Sequence, residues 1–160
     1  MPLRKPLVLV NGRMAQLPAG DTLDAAASEV DVVSLTNGGG VSGTIGTPVY
    51  ISLANTFQLA RANALGTTEV FGLIRDSAIA AAAIGTIQTD GFLTATTAEW
   101  DVITGQTGGL TPGSIYFLSG ATAGRLTTTA PTSSGQFVLR VGQAISTTAL
   151  EISRHQPIEL

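Results

Sequence analysis

One histidine, no cysteine and eleven carboxylates are all this chain brings to acid–base, nucleophilic or metal chemistry. A serine hydrolase needs its histidine held rigidly beside a serine. His155 lies near the C-terminus, and no serine sits in a G-x-S-x-G elbow. It therefore reads as a surface or interface residue. With one imidazole and no thiolate, a metal must rely on carboxylates. Asp21, Asp24, Asp76, Asp90 and Asp101 lack the spacing of a calcium loop. Two carboxylates can still meet in space as a glycosidase pair. Sugar sites, however, are rich in aromatics, and the chain has one Trp, two Tyr and five Phe. Gly38, Gly40 and Gly43 spell G-x-G-x-x-G, which holds a dinucleotide only where a helix N-terminus follows. Thr44-Ile45-Gly46-Thr47-Pro48 cannot open a helix, so these glycines read as a loop. The expectation is a protein that is not an enzyme, with no catalytic residue, cofactor or metal.

The composition points the same way. Charged residues make up 12% of the chain, about half the ~25% of soluble domains. Thr, Ser, Gly and Gln take their place, giving a neutral polar surface that is covered at little desolvation cost. Such a surface suits a component of an assembly. The net charge of −3, with basic residues scattered except for Arg4 and Lys5, argues against a nucleic-acid partner. No stretch approaches the ~20 apolar residues of a membrane span. Leu7–Val10 is also far too short for the core of a signal peptide. Neither a membrane partner nor an export signal is expected.

The elements that must position these residues are mostly strands. Leu7–Val10 and Arg13–Leu17 flank Asn11-Gly12, a strong hairpin signal, and Asp90-Gly91 offers a second between Gly85–Thr89 and Phe92–Ala95. Val30–Leu35, Pro48–Leu53, Phe57–Ala60, Glu69–Ile74, Ser114–Leu118, Arg125–Thr129, Gln136–Val141 and Leu150–Ser153 read as further strands. Ala25–Ser28 allows at most two helical turns, and Ala78–Ala83 fits helix or extended chain. The best helix is a short one near 98–103, with Thr97 as N-cap and Gly105 closing it. The expected fold is all-β: a β-sandwich or barrel of many short antiparallel strands, with that one helix and extended terminal arms. Residues 1–20 form an N-terminal arm and hairpin, 21–153 a single β-sandwich domain, and 154–160 a C-terminal tail.

Expected core residues are Val33, Tyr50, Ile51, Leu59, Val70, Leu73, Ile87, Tyr116, Leu118, Leu126, Val138 and Val141. Trp100 either anchors an interface or plugs one open end of the sandwich, and the plug is the simpler reading. A faint repeat links Val49-Tyr50-Ile51 to Ile115-Tyr116-Phe117, an offset of 116 − 50 = 66. It continues through Leu59 and Leu126 to Phe71-Gly72 and Val141-Gly142. Both chain ends place apolar residues beside prolines. Leu3, Arg4, Lys5 and Leu7 at one end, and Pro157, Ile158 and Leu160 at the other, are candidate protein-interface residues.

Three stretches carry a resemblance. Lys5–Gly12 with Gln16–Asp21 is similar to the openings of tailed-phage virion proteins. Glu99-Trp100-Asp101 through Gly108–Gly113 to Tyr116–Ser119 resembles a segment recurrent in phage structural proteins, and Gly124–Thr132 with Val141-Gly142 continues it. The resemblance implies a β-sandwich virion protein without catalytic residues, most like a small head decoration (cement) protein. It would lie on the capsid exterior, bound to the major capsid protein and to copies of itself. Tail-fibre or tail-tip adhesion modules that bind a host glycan share this vocabulary, and a phage-borne glycan hydrolase fragment is a further alternative. A small unit with an arm at each end suits the cement role better than a long fibre.

Overall fold

The computed structural model describes residues 30–160 and, before them, the backbone of one hairpin. Its strands β1 (Leu7–Val10) and β2 (Arg13–Gln16) pair antiparallel with Val10 opposite Arg13, as the Asn-Gly signal requires. Leu3, Arg4 and Lys5, the side chain of Leu7 and the Ala25–Ser28 segment lie outside the described residues. The chain is all-β, as its turn-rich, β-branched sequence predicts.

The first sheet closes into a barrel. It is built from β3 (Val32–Asn37), β5 (Pro48–Leu53), β6 (Thr56–Leu59), β7 (Gly72–Ile74) and β9 (Ile84–Gln88). Closure comes from a short parallel pairing of β3 with β6 at Thr36–Asn37. Buried Asn37 stabilises that corner. Its amide donates to the carbonyls of Val41, Ile79 and Ala80, and its Oδ1 accepts the Gly39 N–H. Two minor strands, β4 (Gly43–Thr44) and β8 (Ala78–Ile79), pair with each other, which resolves the ambiguous Ala-rich run as partly extended.

The second sheet stays open. Its order is β10 (Gly91–Thr94), β15 (Ala149–Ile152), β14 (Arg140–Ala144), β11 (Ile115–Leu118) and β12 (Leu126–Thr127). Asp90-Gly91 is therefore not a hairpin. Strand β9 already has β3 and β7 on its two sides, so no edge is left for β10. With Gly91 at φ +70°, the chain crosses instead to the second sheet. A last pair joins β13 (Phe137–Val138) to β16 (Ile158–Glu159).

Traced from β3, the barrel order is β3-β9-β7-β5-β6, and the second sheet repeats it as β10-β15-β14-β11-β12. The registers agree residue by residue. Val49↔Gly72 answers Tyr116↔Gly142, Ile74↔Ile87 answers Ala144↔Leu150, and Val33↔Ile87 answers Leu93↔Leu150. The turns before β5 and β11 also match. Gly46 (φ +82°) donates its N–H to Ile74 O at 2.8 Å, and Gly113 (φ +80°) donates to Ala144 O at 2.8 Å. The faint repeat in the sequence is thus a structural one, with two amendments. The strand offset is 116 − 49 = 67, one more than the side-chain types suggest, and Leu126 answers Phe57 rather than Leu59.

Two cores follow. Leu35, Val49, Phe57, Ile74, Ile79 and Ile87 fill the barrel. A larger cluster lies under the open sheet, where Tyr116, Leu118, Leu126, Val141 and Leu150 meet Val70 and Leu73 from the outer side of the barrel. Seven expected core residues are buried: Val70, Leu73, Ile87, Tyr116, Leu118, Leu126 and Val141. Tyr50, Leu59 and Val138 are half-buried. Val33 and Ile51 are exposed at 38% and 42%. Strand β3 meets β6 only at its far end, so Val33 has a strand on just one side. Ile51 sits at a register shift that bends β5 and re-aims its side chain.

Two helices are present among the described residues, one more than expected. The extra one, α1 (Leu65–Thr68), is a single turn held by Thr67 and Thr68 hydroxyls donating to the carbonyls of Arg61 and Ala64. The expected helix is α2 (Thr97–Thr104), lying between β10 and β11. Its N-cap is Thr96, one residue before the expected Thr97, because Thr96 forms a capping box with Glu99. Gly105, at φ +69°, ends it as expected. The Thr96 backbone N–H, then its hydroxyl, donate to the Glu99 carboxylate and hold its pKa below the usual 4.5, against a small opposing effect of burial. A depressed carboxylate stabilises the fold above its ordinary pKa and loses that effect as pH falls through the folded value. Thr96→Ala is therefore expected to cost about 1 kcal/mol at neutral pH. Urea titrations are expected to separate Glu99→Gln from the parent at pH 7 but not at a pH below the depressed value.

Candidate interaction surfaces

The C-terminal tail is docked on its own chain. Strand β16 adds antiparallel to β13, with Val138 opposite Ile158, and Leu160 N–H donates to Gln136 O at 3.0 Å. Two residues apart along the extended tail, Ile158 at the start of β16 and Leu160 just past its end share a face, and they are 64% and 44% exposed. Pro157 is half-buried. The tail residues singled out in the sequence thus present an apolar outer edge, while their backbone is satisfied from within.

Beside the tail runs an open groove of about 990 Å³, lined by Glu69, Val70, Asp90, Leu139, Arg154 and His155 among others. Arg154 Nη1 is engaged within the chain, donating to Val70 O at 3.1 Å and to Phe71 O. His155 is exposed, and its backbone N–H donates to Arg140 O at 3.2 Å. Among the described residues no group of three His, Asp or Glu side chains is arranged to hold a metal ion. The G-x-G-x-x-G glycines lead into β4 rather than a helix, so the structure gives them no anion-binding helix terminus.

A second apolar surface was not legible in the sequence. Leu53, Thr56, Thr36 and Ile84 fall in one row across β5, β6, β3 and β9, opposite in sense to buried Leu35. Leu53 is 72% and Ile84 73% exposed. Leu53 ends the apolar Pro48–Leu53 segment and Ile84 lies just before Gly85–Thr89, and only the register shows them pointing out of the barrel. Trp100, by contrast, is wholly buried beneath the open sheet, the plug rather than an exposed anchor.

No family model matches the sequence, and no curated protein matches it. A chain of a solved structure described as the capsid of Myoviridae phage XM1 overlays with a TM-score of 0.45 and 18% identity. The overlay covers 89% of this chain and 93% of that one. A likeness of that degree bears on neither family nor function.

Proposed function

We propose that this chain is a structural protein of a tailed-phage virion, a capsid decoration protein that binds the outside of the head shell in many copies. The observation that carries this reading is the exposed apolar surface: Leu53 and Ile84 on the barrel, Ile158 and Leu160 on the tail. In a chain only 12% charged, such side chains are covered by a neighbour at little cost in desolvated charge. The resemblance of Lys5–Gly12 and of the Glu99–Ser119 stretch to phage structural proteins supplies the context. The major capsid protein and further copies of the chain are the partners, and the attachment residues are Leu3, Arg4, Lys5, Leu7, Pro157, Ile158 and Leu160.

The test is to add purified protein to undecorated shells and count bound copies. Decoration in many copies per particle is expected. Deleting residues 2–6, or changing Ile158 and Leu160 together to Ser, is expected to weaken attachment several-fold while leaving the melting temperature within a few degrees of the parent. A few copies confined to the tail, with binding to host glycan, would replace the decoration reading with the adhesion one.

A further inference from the structure

The repeat makes one face of the molecule conspicuous. Across the second sheet, Phe92, Glu151, Gln143 and Ile115 form a single outward row over β10, β15, β14 and β11. Arg140, opposite Phe117, stands in the next row. The corresponding row of the barrel is Val32, Gln88, Leu73 and Pro48. There, Gln88, Leu73 and Pro48 are buried, and Leu73 joins the core under the second sheet. Val70 and Tyr50, which answer Arg140 and Phe117, pack against that same core. So this face of the first unit is covered by the second unit, and the equivalent face of the second is left uncovered by the described residues. Phe92 is 53% and Ile115 36% exposed.

We infer that a second copy of this chain covers that face, packed two-fold with Arg140 of each copy against Glu151 of the other. The two rows hold one cation and one anion, so a two-fold operation brings each charge to its opposite twice. Among the described residues Arg140 is under-used. Its Nη2 has one 3.4 Å contact, to Gln143 Oε1, and among the described residues its Nε is buried without a partner. Ser153 Oγ, just past β15, is the other such atom. A carboxylate from outside meets the Nη groups, whose one contact among the described residues is the long one to Gln143, and gives them a charged acceptor. Arg and aromatic residues around a charge pair are also what partial protein interfaces favour. Strand spacing makes the face about 20 Å by 15 Å, or roughly 300 Å², under half of the ~800 Å² per partner of a stable complex. The pairing is therefore weak in dilute solution and strengthens where copies are held close together.

This inference rests on the proposed packing of copies and names the surface responsible. It is tested by sedimentation of the full chain from micromolar to about 1 mM, where a dimer of this strength is populated. Arg140→Glu and Glu151→Arg are each expected to weaken self-association by roughly tenfold or more. The double exchange is expected to restore it, with all variants melting like the parent. A protein still monomeric at the highest concentration overturns the inference. So do single reversals without effect, or a double variant no better than the singles. Loss of shell attachment with self-association unchanged would assign the face to the shell protein instead. Shells decorated normally by Arg140→Glu would leave the decoration reading standing, so the two readings fail separately.

Discussion

Replacing Gly142 by alanine is expected to cost about 3 kcal/mol, and replacing Gly72 a comparable amount, because both glycines admit a neighbouring backbone where a side chain cannot fit. A Cβ on Gly142 would lie 2.2 Å from the Glu151 carbonyl oxygen, and one on Gly72 would lie 2.4 Å from the Gln88 carbonyl oxygen. Neither obstacle is a flexible side-chain end. To relieve it, β14 must move off β15, or β7 off β9, and the ladder between them carries the core on its inner face. Gly66→Ala is the control, since nothing lies within 4 Å of its Cβ position. Urea midpoints check the expectation. If Gly72→Ala and Gly142→Ala fall no further than Gly66→Ala, the two strand pairs do not approach as described.

That matched pair shows what was legible in the sequence and what was not. Phe71-Gly72 and Val141-Gly142 stand out because a glycine inside an apolar strand signals a bulge or a close backbone approach, and at both the neighbouring carbonyl does approach closely. The all-β class, the Asn-Gly hairpin and α2 were readable for the same reason, as local chemistry sets them. Register was not. Shifting a strand by one residue exchanges its two faces, and nothing local fixes the offset at 67 instead of 66. Leu53 and Ile84 face outward only by register, whereas Val33 is exposed because β3 has a strand on one side only there, and Ile51 because a register shift bends β5. Asp90-Gly91 has the chemistry of a hairpin turn, yet which strand lies next to β9 is decided by long-range pairing with β3 and β7. Of the exposed apolar surface, only the tail was legible in the sequence. Pro157, Ile158 and Leu160 advertise themselves as apolar residues near a chain end, whereas the row from Phe92 to Ile115 exists only once four separate strands are aligned.

Truncating Trp100 to alanine is expected to lower stability by about 3–5 kcal/mol, a large part of the 5–15 kcal/mol that holds an ordinary domain folded. The indole fills the space under the open sheet that the barrel closes for itself by pairing β3 with β6. It is wholly buried, and its Nε1–H donates to Thr148 O at 2.9 Å, at the end of the loop leading into β15. On its other side lies Gly46, in the first unit. A Cβ built there would come within 2.7 Å of Trp100 Cζ3. The ring therefore ties α2 and the second sheet to the turn that starts β5, and its loss is felt in both units. Trp100→Phe separates the contributions. It keeps most of the packing but leaves the Thr148 carbonyl with only the Ala95 N–H, so it is expected to cost less than the alanine variant. Gly46→Ala attacks the same contact from the opposite side, at a backbone φ of +82° that alanine already disfavours. Combined with Trp100→Phe it is expected to cost less than the sum of the two, because removing the six-membered ring of the indole relieves the collision. Calorimetry of Trp100→Ala is expected to show one lowered transition. Two transitions, with only one displaced, would mean that the units fold separately and that the indole serves the second alone.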